Sequence, residues 1–320
     1  MRVNNSYLYW GVFLLALGGA IAVINYVEPD ATAVVDVLSY WPLVVIALGL
    51  ALVLRRSRYN VAGGMLAAAV PGLLLGGTLA LGPQIGLDCA PKSGELTSYD
   101  TNQGAFTAPA RVDVATGCGT LTITTRPGSG WDLRAANTHG YAPVVAASTS
   151  DLSLRSVRDD RWFGEFGRDA WGLTLPTSRI DDLNVVVNAG ANQTDLDGAD
   201  IGALALTTNA GRSTVDLATA QVETIDAAVN AGQLSIDLPT GDDVRGTIAV
   251  NAGDADVCVP DSVGLRVLSS GAFSSTDLNG LALHDGAWES PGYASAAHHA
   301  DLTVSVNLGS LDINPVGGCS

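Results

Sequence analysis

Residues 188–253 read NAGANQTDLDGADIGALALTTNAGRSTVDLATAQVETIDAAVNAGQLSIDLPTGDDVRGTIAVNAG, and the triplet Asn-Ala-Gly occurs in them four times. The triplets begin at residues 188, 209, 230 and 251, so the intervals between them are equal. A fixed period of about 21 residues is typical of proteins built from stacked structural repeats. The period therefore predicts a repeat architecture before any single residue is interpreted.

Apolar residues alternate with polar ones before each triplet and again after it. A period of two indicates a β-strand with one face turned inward. Each repeat therefore predicts two good strands and one short third segment. The apolar positions before the triplets are Leu183, Val185, Val187, Leu204, Leu206, Ile225, Ala227 and Val229, and those after them are Val215, Leu217, Ile236, Leu238, Val257 and Val259.

The triplets themselves suit tight corners between strands. Asn and Gly tolerate left-handed backbone conformations, and stacked Asn amides can hydrogen-bond from one turn to the next. The expected fold of this part is all-β: a single-stranded parallel β-helix, or β-solenoid, of about 21 residues per turn, which suits a right-handed coil. The predicted structural corners are Asn188, Gly190, Asn209, Gly211, Asn230, Gly232, Asn251 and Gly253.

Degenerate copies of the repeat extend the predicted β-domain beyond the four triplets. Residues 117–123, 269–271 and 307–313 have similar patterns, with Leu311 and Ile313 in the last copy. We therefore expect three parts: a membrane domain over 1–82, a linker over 83–109 and an extracytoplasmic β-solenoid over 110–320.

The chain before residue 83 contains three long apolar runs. About 20 apolar residues as a helix cover the hydrocarbon core of a bilayer, and we predict N-terminal transmembrane α-helices at about 7–27, 37–54 and 61–81. Arg55, Arg56 and Arg58 lie between the second and third runs, and basic loops stay on the cytoplasmic side. The expected localisation is a multi-pass protein of the plasma membrane, with a cytoplasmic N-terminus and an extracytoplasmic C-terminal domain. Cleavage of the first run as a signal peptide is an open alternative.

Charge is segregated along the chain. Residues 83–320 contain 29 Asp and Glu against 12 Lys and Arg, so this part carries a formal charge of −17. Nucleic acid is therefore excluded as a natural partner. The same field attracts cations or basic partners, although a charge that only confers solubility would give the same composition.

Four cysteines, Cys89, Cys118, Cys258 and Cys319, all lie on the predicted outer side. Disulfides persist outside the reducing cytosol, and none of the cysteines has the Cys-x-x-Cys spacing of a zinc or redox site. We expect structural disulfides, with three pairings open.

An aromatic and charged segment interrupts the repeats between residues 158 and 171. It contains Trp162, Phe163, Phe166 and Trp171. One interpretation is a cap over the open end of the stack. The other is a contact loop that touches a membrane surface or a partner.

The sequence contains no recognised catalytic or cofactor motif. Asp195, Asp216 and Asp237 form one column of the repeat, but a solvated outward row explains them better than a pair of catalytic carboxylates. His298 and His299 are adjacent, and adjacent strand residues point to opposite faces, which argues against a shared metal site. We predict a non-enzymatic protein without cofactor or metal.

Two parts of the chain resemble known families. Residues 9–25 (YWGVFLLALGGAIAVIN) and 39–56 (SYWPLVVIALGLALVLRR) resemble the transmembrane region of LiaI and LiaF-type bacterial proteins. The motif LTLP at 173–176, followed by the Asn-Ala-Gly repeats, resembles the adhesin-like toast-rack domains joined to such regions. The resemblance implies a role in the cell-envelope stress response through protein contacts, without catalytic residues. LiaF acts on a histidine kinase, but this chain differs from it in topology and in its cysteines.

We therefore expect an envelope protein that senses or regulates through protein or envelope contacts of its outer domain. The expected partners are the lipid bilayer and a membrane or envelope protein, and homo-oligomerisation stays open. The alternative is a surface adhesin or structural envelope protein. An envelope glycan-acting enzyme is a third candidate and would need carboxylates clustered in a groove.

Overall fold

The structure is a computed structural model that describes residues 5–27, 49, 60–81, 89–91, 94–98, 101–157, 167–278 and 280–314. The chain divides into two compact units, Met1–Asp88 and Cys89–Ser320.

The described part of the first unit contains two long helices, α1 (Asn5–Val27) and α2 (Asn60–Leu81), which pack against each other. The approach is close at Gly72, where a Cβ atom would lie 2.5 Å from the carbonyl oxygen of Phe13 and 3.0 Å from the Cβ of Ala16. Pro71 lies inside α2. Glycine at this contact lets the two backbones approach.

The membrane prediction is contradicted. Among the residues that the structure describes, no helix has both the length and the hydropathy needed to cross a membrane. The predicted span 37–54 lies outside the described residues, apart from residue 49. The structure therefore does not support three transmembrane helices, a multi-pass membrane protein or the plasma-membrane localisation. The physical reason for the error is that hydropathy alone does not identify what covers an apolar helix, since helices that are apolar all round occur in protein cores as well as in bilayers.

The second unit is almost entirely β in its described ranges, and the 17 strands form one sheet. A short 3₁₀ helix, Tyr293–Ser295, precedes the last strand. The strands are β1 Thr97–Ser98, β2 Asn102–Ala105, β3 Ala110–Arg126, β4 Gly130–Asn137, β5 Val144–Ala147, β6 Asp151–Arg155, β7 Arg168–Pro176, β8 Ile180–Asp195, β9 Asp200–Thr208, β10 Gly211–Asp216, β11 Gln221–Val229, β12 Gly232–Asp237, β13 Val244–Cys258, β14 Val263–Asp277, β15 Ala282–His284, β16 Ala287–Glu289 and β17 His298–Ile313.

Successive repeats pair in parallel, with each residue opposite its equivalent in the next repeat. Gly190 lies opposite Gly211, Gly211 opposite Gly232, and Gly232 opposite Gly253. The strands form two faces. The first face consists of β9, β11 and the first halves of β8, β13 and β17, and the second face consists of β10, β12 and the second halves of the same three long strands.

The fold class as predicted, transmembrane helices joined to a single-stranded β-helix, is contradicted. The described part of the chain is mostly β with two long helices, and six parallel strands close a ring in the order β8, β9, β11, β13, β12, β10 and back to β8. The ring closes because β8 and β13 continue through the Asn-Ala-Gly corner and pair on both faces. The sequence pattern indicated a break at every corner and could not reveal this continuity.

The space between the two faces is the hydrophobic core. Inward residues alternate along every strand of the repeats, as predicted, and Leu204, Ile225 and Ile248 on the first face are buried with Val215 and Ile236 on the second. Burial of one such side chain contributes about 1.5–3 kcal/mol. One continuous cluster of buried side chains extends from β3 to β17.

The two ends of the stack are built differently from its middle. At one end β3 pairs in parallel with β6, β7 and β8, while β4 pairs antiparallel with β7 and with β2. At the other end β17 lies between β13 and β14, and the small hairpin β15–β16 pairs with β14. The strands β1 and β2 fall inside the range 83–109 that the sequence predicted as a linker.

Candidate functional site

The glycines of the Asn-Ala-Gly corners form a column along one edge of the stack. The φ angles are 120° at Gly190, 132° at Gly211, 142° at Gly232 and 147° at Gly253. Residues other than glycine rarely adopt such angles. A Cβ atom on any of the last three would overlap the carbonyl oxygen of the glycine one turn earlier. Gly309 continues the column next to Gly253. These positions therefore require glycine for two independent steric reasons, the positive φ and the close approach of the neighbouring turn.

The corner asparagines form a hydrogen-bonded ladder. Each amide donates to the side-chain oxygen one turn earlier, at 2.9 Å from Asn209 to Asn188 and at 2.7 Å from Asn230 to Asn209 and from Asn251 to Asn230. Asn307 adds a rung at 2.9 Å, and Asn188 donates to the carbonyl oxygen of Thr116 at 2.7 Å. The expected amide stacking is observed, and the ladder is one rung longer than the four exact repeats.

The aspartate column has a local structural role. Asp195 Oδ1 accepts the backbone N–H of Asp197 at 3.0 Å, and Asp216 Oδ1 accepts that of Ala218 at 2.9 Å. This is the Asx-turn arrangement, which stabilises the reversal after each second-face strand. Asp237 cannot repeat it, because Pro239 occupies the position of the donor and has no N–H.

The second face becomes acidic toward the later repeats. Burial and the neighbouring charge of Asp216 raise the pKa of Asp237. Burial and the charges of Asp312 and Asp254 raise the pKa of Asp256. We call Asp216, Asp237, Asp254, Asp256 and Asp312 the acidic strip. Neighbouring strands are about 4.8 Å apart, so these carboxylates repel one another.

The charge of the whole chain is concentrated in the same half. Residues 181–320 contain 19 Asp and Glu against three Arg, whereas residues 83–180 contain ten against nine Lys and Arg. Arg179 compensates part of this charge at the start of the acidic half. Its guanidinium contacts Asp200 at 2.7 Å and Glu223 at 2.8 Å, which joins two successive repeats and raises the pKa of Arg179.

The prediction of disulfide bonding is confirmed for the described cysteines. Cys89 and Cys118 are bonded, with Cα atoms 5.0 Å apart, and Cys258 is also disulfide-bonded. Cys319 lies outside the described residues. A Cβ atom added at Gly190 would lie 3.0 Å from the Cβ of Cys89. The Cys89–Cys118 disulfide therefore holds the segment before β1 beside the beginning of the glycine column.

The predicted contact loop falls mostly on residues that the structure does not describe, which include Trp162, Phe163 and Phe166. Trp171 belongs to β7 and is 3% exposed. Its side chain is part of the core and not of an exposed loop.

A buried carboxylate at the start of β7, beside the end of β6, was not found from the sequence. Asp169 is 5% exposed and accepts hydrogen bonds from Ser156 Oγ at 2.5 Å and Asn137 Nδ2 at 2.8 Å. Ser156 Oγ in turn accepts the backbone N–H of Gly117 at 2.7 Å. Burial raises the pKa of Asp169, and these hydrogen bonds oppose the increase. Gly117, Asn137, Ser156 and Asp169 come from separate parts of the chain, so no sequence motif predicts this cluster.

A polar cleft near the start of β17 was also missed. It is lined by Asp243, Val244, Arg245, Tyr293, His299 and Asp301. The sequence pattern drew attention to His299 only as a neighbour of His298. Within the described ranges, no three His, Cys, Asp or Glu side chains are grouped so as to hold a metal ion.

Three comparisons relate the chain to known proteins. Residues 100–239 match the family described as the N-terminal domain of toast_rack, DUF2154. No curated protein matches the chain. The transmembrane resemblance to LiaI and LiaF-type proteins finds no support in these matches.

Several solved structures are similar at low identity. A candidate cell adhesion protein from Clostridium sporogenes has 13% identity and a TM-score of 0.45, and the match covers 68% of this chain and 99% of that one. A candidate adhesin from Bacteroides fragilis has 11% identity and a TM-score of 0.32, with 69% and 98% covered. A candidate lipid binding protein from Parabacteroides distasonis has 9% identity and a TM-score of 0.30, with 69% and 97% covered. The matching family therefore supports a toast-rack domain in this chain, as the sequence predicted.

Proposed function

We propose that the protein is a non-enzymatic adhesion protein that binds a positively charged partner through the acidic strip. The observation that carries the proposal is the row of carboxylates on the second face, two of which have their pKa raised by burial and by neighbouring carboxylates. A cationic partner would relieve this repulsion, and its binding would stabilise the charged forms.

The arrangement of the carboxylates favours binding over catalysis. Glycan hydrolysis needs two carboxyl groups facing each other across a substrate. Asp216 caps a turn, and Asp254 Oδ1 accepts a hydrogen bond from Ser310 Oγ at 2.6 Å. The strip lies on one face of a sheet, where parallel strands hold its members side by side. Such a surface suits an extended partner better than a small substrate.

The disulfides support a location outside the reducing cytosol, where adhesion proteins act. The adhesion proteins among the similar solved structures are other proteins at low identity. The support in this chain is its own row of surface carboxylates. Regulatory contact with another protein would use the same strip and differs only in the partner.

The test is binding of the full-length, oxidised protein to immobilised poly-lysine, with poly-glutamate as the negative surface. The triple variant Asp216→Asn, Asp237→Asn, Asp256→Asn keeps side-chain shape and the Asx-turn acceptor. We expect its affinity to fall at least tenfold, with a shallower dependence on salt.

The matched control changes the same net charge elsewhere. Asp226, Asp242 and Asp261 have no side-chain partner among the described residues, and Asp226 lies on the first face. The triple Asp→Asn variant at these positions should bind within about twofold of the natural protein. Equal losses in both triple variants would mean that only total charge matters, and the proposed strip would be rejected.

A further inference from the structure

The polar cleft beside the start of β17 is a second surface, separate from the acidic strip. It has a volume of about 220 Å³, below the roughly 300–1,000 Å³ of sites for drug-sized ligands. Three elements form it: the start of β13 with Asp243 and Arg245, the start of β17 with His299 and Asp301, and the 3₁₀ helix with Tyr293.

Hydrogen bonds within the protein hold the walls of the cleft in place. The hydroxyl of Tyr293 donates to Asp301 Oδ1 at 2.8 Å, and the backbone N–H of His299 donates to Asp243 Oδ1 at 2.8 Å. His299 Nε2 lies 3.0 Å from the carbonyl oxygen of Tyr293, which can only accept, so Nε2 carries the proton. The rings of Tyr293 and His299 meet edge to face, with centroids 4.9 Å apart. The site is therefore preorganised.

The side chain of Arg245 is available to contact a ligand in the cleft. It is exposed and makes no ion pair with any residue that the structure describes. Asp301 lies opposite it on the neighbouring strand, and Asp243 keeps a side chain that is 73% exposed. The cleft thus offers a guanidinium donor, carboxylate acceptors and an aromatic ring within one small volume.

The mixture of charges selects the chemistry of the ligand. Two carboxylates disfavour an anion, and the guanidinium disfavours a cation. A neutral ligand with several hydroxyl groups satisfies both, since a hydroxyl can donate to a carboxylate and accept from a guanidinium. The ring of Tyr293 adds an apolar surface for carbon-bound hydrogens.

We propose that this cleft binds a single neutral sugar ring, a pyranose. Asp243 and Asp301 accept hydrogen bonds from its hydroxyls, Arg245 donates to them, and Tyr293 packs against the ring. The inference is independent of the acidic strip, and the two sites are tested with different ligands.

The experiment uses the full-length, oxidised protein and the methyl glycosides of glucose, galactose, mannose and N-acetylglucosamine. Saturation-transfer NMR detects binding, and titration calorimetry measures Kd. We expect at least one glycoside to saturate the protein. The variants Arg245→Met and Tyr293→Leu should each weaken binding of that glycoside at least tenfold, because the first removes the guanidinium donor and the second removes the aromatic ring that packs against the sugar.

Controls are available in the same chain. Arg212 is an exposed arginine on the second face that donates to Gln233, and Tyr141 stacks on His139 without belonging to the cleft. Arg212→Met and Tyr141→Leu should leave Kd within twofold. Because Arg245 is exposed and without an ion pair among described residues, Arg245→Met should also keep the thermal midpoint unchanged, which separates loss of binding from loss of folding.

Either of two results would overturn the proposal. The first is the absence of saturable binding by all four glycosides. The second is binding that Arg245→Met and Tyr293→Leu change no more than the controls do.

Discussion

At the scale of single residues, the corner glycines are the most constrained positions of the repeat. Gly232 combines a φ of 142° with a Cβ position that overlaps the carbonyl oxygen of Gly211. We expect Gly232→Ala to lower the free energy of unfolding by at least about 2 kcal/mol. Gly241→Ala, where an added Cβ meets nothing within 4 Å, should change it by less than about 0.5 kcal/mol. Urea unfolding followed by circular dichroism measures both, and similar effects of the two substitutions would contradict the steric explanation.

Asp169 gives a residue-scale prediction about pH. Because its folded-state pKa is raised above the ordinary 3.8, the folded protein binds more protons than the unfolded chain in the range just above that value. The contribution of Asp169 to stability is therefore greatest at acid pH and falls as pH rises through the folded-state pKa. Asp169→Asn removes this titration and keeps an oxygen that can accept from Asn137.

The measurement is the difference in unfolding free energy between the natural protein and Asp169→Asn from pH 4 upward. The natural protein should lose stability relative to the variant as pH rises, and the difference should then become constant. A difference that does not change with pH would show that the hydrogen bonds at Asp169 cancel the effect of burial, and a change in the opposite direction would show that they outweigh it.

Residues with a repeated local role were predictable, and residues defined by tertiary contacts were not. Gly211 and Asn209 have an equivalent in every copy of the repeat, so their corner role follows from the pattern. Trp171 was predicted in an exposed segment, because its charged neighbours in sequence hid its inward position in β7. Tyr293 belongs to no repeat and gains its place only from the fold.

At the scale of elements, β17 is the strand whose position differs most from its place in the chain. It is the last strand of the described sequence, yet β13 and β14 pair with both of its edges. We expect the backbone amides of residues 300–306 to exchange with deuterium as slowly as those of β11, because both strands are paired on two sides. Among the described strands, the hairpin strand β15 pairs only with β16, and it serves as the fast-exchanging reference. Exchange in β17 as fast as in β15 would contradict the inserted position.

The order of these strands could not be predicted. The sequence indicated that residues 307–313 form a degenerate repeat, but it gave no reason to place that repeat before β14. All repeats offer similar apolar columns, so register and alternation are satisfied by more than one order of stacking. Tertiary contacts of the insertion between β14 and β17 decide among the orders, and these do not appear as periodicity.

At the scale of the whole molecule, the acidic half should make stability depend on salt. Residues 181–320 have a formal charge of −16, and self-repulsion within a folded chain is screened by ions. Raising the salt concentration from about 10 mM to about 150 mM, where the Debye length falls to about 8 Å, should raise the urea midpoint. The Asp216, Asp237, Asp256 triple variant should gain less from salt. A midpoint that falls with salt would mean that ion pairs such as that of Arg179 with Asp200 dominate.

The whole-molecule prediction from sequence failed where it depended on the environment of the chain. The repeat period and the apolar alternation are internal properties, and the parallel pairing of equivalent residues follows from them. The apolar runs before residue 83 indicated helices, and helices occur at Asn5–Val27 and Asn60–Leu81. Their assignment to a bilayer was an inference about surroundings, and it is this inference that the structure contradicts.

The inserted position of β17 has a consequence for biosynthesis. A ribosome makes β13 and β14 first, and at that moment the strand that joins them, His298–Ile313, is still unmade or inside the exit tunnel. The open edges of β13 and β14 must wait until residues 298–313 have been made, and open edges are templates for aggregation. A nascent chain truncated before residue 298 would thus lack a central strand and not merely an end. For this protein, a late stop codon would be as damaging as a mutation in the middle of the core.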